Sequence, residues 1–212
     1  MEIEYPEDPK LTYAVIRLSD TLERQTEDPD ADFTKITSHK EEVLNRYQPI
    51  FQPESVKNLS KENFLSFLLI KNNHHWDSLH RVGKPMTEDM GLLREALGIL
   101  LDESRSIRER LNELRPERYW GKNGMVSHLG MPVLTAILLV SSPDKYGVWN
   151  NTSDRGLKEV RLWDKNWENL PGGDSYVEMN DIYLDLCRCL HIDLWTLDVL
   201  WWVIKKRSAG NG

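Results

Sequence analysis

Glycines and cations crowd one short region of the chain. The stretch YWGKNGMVSHLGMP places Gly121, Gly124 and Gly130 within ten residues, directly ahead of the apolar run VLTAILLV. A glycine-rich turn feeding a helix presents free backbone N–H groups and the positive end of the helix dipole, so the chemistry it suggests is phosphate binding. The amides at Gly130 and Met131 would face the anion, Pro132 would set the first turn, and Lys122, Asn123 and Lys145 would flank it. Beyond the apolar run, YGVWNNTSDR supplies Trp149, Asn150, Asn151, Thr152 and Arg155, groups able to stack on a base or to hydrogen-bond a nucleic-acid backbone or base edge. The same stretch also reads as a tight turn between two helices, with glycine there for positive φ.

Other chemistry-bearing residues carry weaker signals. Arg105, Arg108, Arg110, Arg115, Arg118 and Lys122 precede the turn, but Glu109, Glu113 and Glu117 interleave with them as in a salt-bridged helix face. Their coincidence with the glycine turn, Lys145 and Arg155 is what favours nucleic acid. His74, His75 and His80, and likewise Cys187, Cys189 and His191, lack the paired Cys-x-x-Cys or His-Glu-x-x-His spacing of a metal site. Neither a metal nor a cofactor is therefore expected. Trp195, Trp201 and Trp202 sit in a segment that is apolar nearly all round, which predicts a central core helix. Asp198 interrupts it and needs a partner; an ion pair with Arg or Lys is expected, catalysis being the alternative. Trp149, Trp163 and Trp167 lie among polar residues, where they either stack on bases or cover the core edge. No Walker A sequence, dinucleotide fingerprint, Gly-x-Ser-x-Gly elbow or nuclease-type Asp…Glu-x-Lys set is present, so no enzyme activity is expected.

The elements that must position these residues follow a helical period. Asp8-Pro9 starts one helix, carrying Leu11, Val15, Leu18 and Leu22. Further helices are predicted across SHKEEVLNRY, after Ser60, from Thr87, and from the capping pair Ser106 and Glu109. Pro132 leads VLTAILLV, Thr152 or Ser153 caps DRGLKEV, Asn180 caps a helix with Ile182, Leu186 and Leu190, and Asp193 caps the last. Only 161–178, with its Pro-Gly-Gly, suggests a small β-hairpin. The expected fold is all-α, a compact set of about eight to ten helices. Residues 1–58 form an N-terminal helical segment packing on a main helical domain, 59–206, and 207–212 form a flexible tail or linker start.

Composition narrows the function classes. The 212 residues are 40% hydrophobic and 29% charged, a folded chain's balance. Lys and Arg number 27 against 34 Asp and Glu, a net charge of −7, so any nucleic-acid surface must be a local basic patch on an acidic body. Two cysteines fit a reducing, cytoplasmic setting, the acidic N-terminus has no secretory pattern, and no apolar run approaches a membrane span of roughly 20 residues.

Two resemblances extend this reading. GMPVLTA resembles the hairpin of helix-hairpin-helix DNA-binding proteins, with Gly130, Met131 and Thr135-Ala136 in the matching places and Pro132 replacing the second glycine. In base-excision glycosylases of that superfamily the resemblance implies a lysine where this chain has Leu134, or Val133 in another register, and an aspartate where it has Asn150. An amide is neither a base nor a charge, so glycosylase chemistry is disfavoured. The segments LSKENFLSFLLIKNNHHWDSLHRVG, GKNGMVSHLGMPVLTAILLVSSPDKYGVWNNTSDRGLKEVRLW and IDLWTLDVLWW resemble a prokaryotic domain found ahead of AAA+ or nuclease modules in methylcytosine-specific restriction systems. That likeness covers residues 59–202 and implies a non-catalytic module recognising DNA for an AAA+ motor or nuclease partner. A base-excision enzyme using Asp144, Asp154 or Asp198, and a protein–protein adaptor with a tryptophan-rich surface, are the two alternatives.

Overall fold

In this computed structural model the structure describes residues 3–28, 31–114 and 124–210, with side chains as far as 205. The first helices are α1 (Pro9–Thr26), α2 (Asp32–Ser38), α3 (Lys40–Tyr47) and α4 (Pro53–Val56). Then follow α5 (Lys61–Leu68), α6 (Ile70–Asn73), a 3-10 turn (Asp77–Val82), α7 (Gly83–Met86), α8 (Met90–Leu101) and α9 (Ile107–Leu114). After the undescribed 115–123 come α10 (Met131–Ser141), α11 (Asn151–Glu159), a second 3-10 turn (Lys165–Asn169), α12 (Gly172–Leu190) and α13 (Leu194–Gly210). The fold is all-α, in more and shorter pieces than eight to ten helices.

Several helices begin where side-chain caps dictate. Asp8 accepts from the Lys10 amide at 2.8 Å, and Ser60 from that of Asn63 at 3.1 Å. Ser106 and Glu109 bond reciprocally, and Asp193 accepts from the Thr196 amide at 2.7 Å. Helix α10 is buried on nearly every side, from Met131 through Val140. It packs on α3 and α8, while α11 packs on α13 and α9 on α12. Helices α1 and α2 lie on α13, with α1 also on α12, so the N-terminal segment shares the core of the main body.

Some expectations fail for identifiable reasons. The 161–178 segment is not a hairpin, and no strand occurs among the described residues. Gly172 and Gly173 open α12 instead, and a Cβ on Gly173 would lie 2.3 Å from the Arg108 carbonyl oxygen. The glycine serves close approach of α12 to α9, not a turn. Asn180 is no cap: it lies within α12 and clamps the loop between α10 and α11, accepting from the Gly147 amide and donating to the Lys145 carbonyl, both at 2.8 Å. The Thr87 hydroxyl donates back to the Gly83 carbonyl, and Asp89 caps α8. The helix after Ser60 breaks at Leu69, whose backbone is extended.

Candidate functional site

Buried Asn73, at the end of α6, organises a polar wall. Its Oδ1 accepts from the backbone amides of His75 (2.9 Å) and Trp76 (2.7 Å), and its Nδ2 donates to the Phe67 carbonyl (2.9 Å). His74 takes a left-handed conformation, φ 56°, and closes the α6 turn. The clamp sets His75 and Trp76 against Asp198 of α13. The Trp76 indole N–H donates to Asp198 Oδ2 at 2.9 Å, and His75 Nε2 stands 2.6 Å from the same oxygen. That close contact is off the line of a formed hydrogen bond, and His75 Nδ1, also buried, has no hydrogen-bond partner among the described residues. The His75 ring packs against the indoles of Trp76 and Trp195, at 5.1 and 5.4 Å, and these two indoles also meet each other at 5.4 Å. Asp198 thus meets an indole and an imidazole, where the sequence suggested Arg or Lys.

This wall lines a cleft of about 610 Å³ between the 3-10 turn Asp77–Val82, the first turns of α10 and α11, and the middle of α13. Asn150, Asn151 and Thr152 line it from α11, Trp202 and Lys205 from α13, Pro132 from α10, and Asp77 and Arg81 from the turn. Asn150 caps α11: its Oδ1 accepts from the amides of Thr152 and Ser153, and the Ser153 hydroxyl accepts from the Asn150 amide. Asn150, and not Thr152 or Ser153, is therefore the cap, and these α11 amides are already engaged. Lys205 Nζ donates to Thr152 Oγ1 at 3.4 Å.

The residues expected to grip phosphate divide into two groups. Asn150, Asn151 and Thr152 reach the cleft, and Arg155 is exposed on α11. Met131 and Trp149, both 4% exposed, belong to the core and not to a surface that a ligand reaches. The Trp149 backbone N–H donates to Thr135 Oγ1, and its indole to Asp154. Gly130 is buried and extended, φ −95°, while His128 supplies the positive φ, 64°. Leu134 is wholly buried. Lys122 and Asn123, with Arg115 and Arg118, lie outside the described residues.

Lys145 belongs to a separate polar knot. Its Nζ donates to Glu103 at 2.9 Å, Tyr146 OH donates to the same carboxylate at 2.8 Å, and buried Arg110 donates to Glu103, to Tyr146 OH and to the Leu100 carbonyl. Burial pushes the Glu103 carboxyl up, but the hydrogen bonds from Lys145 and Tyr146 and the Arg110 charge hold it below its ordinary value. Arg105 pairs with Glu113 and Arg108 with Asp174, so the described part of the arginine run is structural.

The histidines do not gather as spaced in sequence. His75 goes to Asp198, His80 bonds the carbonyl of Asp77 in its own turn, and His191 stands 3.8 Å from Glu4. His74 instead meets His39 and Glu42. Cys189 is a buried core residue. Sequence reasoning did not single out Asn73, Trp76 or Lys205 as site residues. The signals were there in the polar run NNHHW after an apolar helix and in a lone aspartate on an apolar one. No helix among the described residues is long and apolar enough to cross a membrane. No protein family, curated protein or solved structure matches the chain.

Proposed function

We propose that the chain is a non-catalytic DNA-recognition module whose contact surface is the cleft between α10, α11 and α13. The observation that carries this reading is the combination of groups along one opening. Arg81 and Lys205 can meet phosphates, Asn151 and Thr152 offer hydrogen bonds, and half-buried Trp202 offers a flat apolar face. A local basic rim on an acidic chain is what DNA binding requires at a net charge of −7. The resemblance to the recognition domain of methylcytosine-specific restriction systems supports it and adds an AAA+ motor or nuclease as the proposed partner.

The test is a titration of duplex DNA, with and without methylcytosine, across a range of salt. With about three to five phosphates contacted, log K should fall with a slope of about −3 to −5 against log salt. No binding at about 50 mM salt, or an affinity indifferent to salt, sinks the proposal.

The His75–Asp198 pair favours a second reading, because an imidazole against a buried carboxylate in a cleft is an acid–base arrangement. That reading is a base-excision enzyme. Against it, Leu134 is in the core and Asn150 caps a helix. Release of uracil, oxidised or alkylated bases from duplex DNA above a protein-free control would decide for the enzyme.

A further inference from the structure

Next in sequence to the cleft-wall residues His75 and Trp76, His74 meets two ligand-type side chains from the start of α3 and the residue before it. His39 joins α2 to α3, Glu42 lies one turn into α3, and His74 closes α6. His39 Nδ1 is 3.3 Å from Glu42 Oε2, and His74 Nε2 is 3.5 Å from Glu42 Oε1. The ligand atoms of all three lie within 4.8 Å of one another. Donors placed tetrahedrally about 2.1 Å from one ion are separated by roughly 3.4 Å, close to each contact, and the two imidazoles reach the two different oxygens of Glu42.

We propose that His39, Glu42 and His74 form a surface site for a divalent transition-metal ion such as Zn²⁺, with solvent completing the coordination. Two imidazoles and one carboxylate suit Zn²⁺, Co²⁺ or Ni²⁺, and suit the all-oxygen preference of Ca²⁺ or Mg²⁺ poorly. Lys40, the nearest cation in sequence, is turned away to Asp193 at 2.8 Å.

The imidazoles are stacked, their centroids 3.9 Å apart and their planes 10° from parallel. An ion lies close to the plane of each ring it binds, and parallel planes share no such point. Binding therefore turns one ring about its Cβ–Cγ bond. His39, with 41% of its side chain exposed, has room to turn. His74 is held by its left-handed backbone and joins directly to His75 and Trp76, so a metal here ties α2 and α3 to the cleft wall.

The test uses the full chain, free of any affinity tag and dialysed against chelator. Titration with Zn²⁺ is followed by calorimetry, and with Co²⁺ by visible absorption. One equivalent is expected at micromolar affinity, weakened roughly tenfold or more in each of His39→Ala, Glu42→Gln and His74→Asn. Asparagine is chosen at His74 because it tolerates the left-handed backbone. Circular dichroism establishes that each variant is folded. Cys187→Ser and His80→Ala should bind like the parent. Absence of binding at about 100 µM metal overturns the site, as does loss of binding only in the cysteine or His80 variant. The metal titration contains no DNA, so its outcome is independent of the DNA reading.

Discussion

Two polar clusters lie at either end of one short stretch, and they treat their charges in opposite ways. In the knot around Glu103, the carboxylate is matched by Lys145, Arg110 and Tyr146, so the cations are neutralised within the chain. A few residues later, Asn150 and Thr152 open onto a cleft whose rim cations, Arg81 and Lys205, have no ion-pair partner among the described residues. Its buried carboxylate, Asp198, meets an indole and an imidazole and no Lys or Arg among the described residues. A cation tied to a carboxylate has less to offer a phosphate than one facing a hydroxyl or solvent. Proximity in sequence to a candidate motif thus says less about ligand contact than the partner each side chain already holds.

The largest effect that would sharpen this contrast lies in the shared framework. Leu138 is fully buried in α10, so Leu138→Ala should cost about 2–5 kcal/mol in denaturant unfolding and affect both clusters through the fold. A loss below about 1 kcal/mol would show that α10 is not the common support.

Next comes the knot alone. Tyr146→Phe removes an acceptor from buried Arg110 and a donor from Glu103, and should destabilise by about 1–3 kcal/mol while leaving DNA affinity unchanged. A change in DNA affinity without a change in stability would move the binding surface to the knot.

The cleft should answer in the opposite way. Arg81→Ala with Lys205→Ala should lower DNA affinity by about 1–2 kcal/mol, reduce the salt slope by about two and barely alter the melting temperature. Lys145→Ala, measured beside it, should leave the slope within error. If Lys145→Ala has the larger effect, the comparison drawn above is reversed.

The smallest effect is a surface pair joining the N-terminal helices to α13. Burial pushes the Asp193 carboxyl up, but hydrogen bonds from Lys40 and the Thr196 amide hold it below its ordinary value. A carboxyl depressed in the folded state contributes stability above its unfolded pKa of about 3.9, and that stability is lost as pH falls through the folded value. Both side chains are partly exposed, so Lys40→Ala should cost only about 0.2–1 kcal/mol at pH 7. Its stability should also fall less between pH 5 and pH 2 than that of the parent, to about the same degree. Identical acid profiles would show that the pair is electrostatically idle.

Local rules read well wherever one residue decides the outcome. Asp8, Ser60, Ser106 with Glu109, and Asp193 cap helices as their types and positions suggested, because a cap needs only a short oxygen-bearing side chain beside free amides. The apolar faces of α1, α8 and α10 were legible for a similar reason, since a helical repeat of Leu and Val must be buried. Asn180 and Gly173 were misread because their roles are set by elements distant in sequence, the loop at 145–147 and helix α9. Trp149 looked like a loop side chain, yet Thr135 and Asp154 draw it into the core.

The sequence by itself determined an all-helical chain, most of its caps and the identity of its apolar core, since those follow from residue type and a period of 3.6. It also marked Asn150, Asn151 and Thr152 as polar groups at a helix start. Only the tertiary structure decided which partners they meet. It brought Asp198 to His75 and Trp76 from the far end of the chain, placed Arg81 and Lys205 on one rim, and gathered His39, Glu42 and His74. Hydrogen bonds and ion pairs act over a few ångströms in space and carry no memory of separation along the backbone, so contacts of this kind have no period from which to be read.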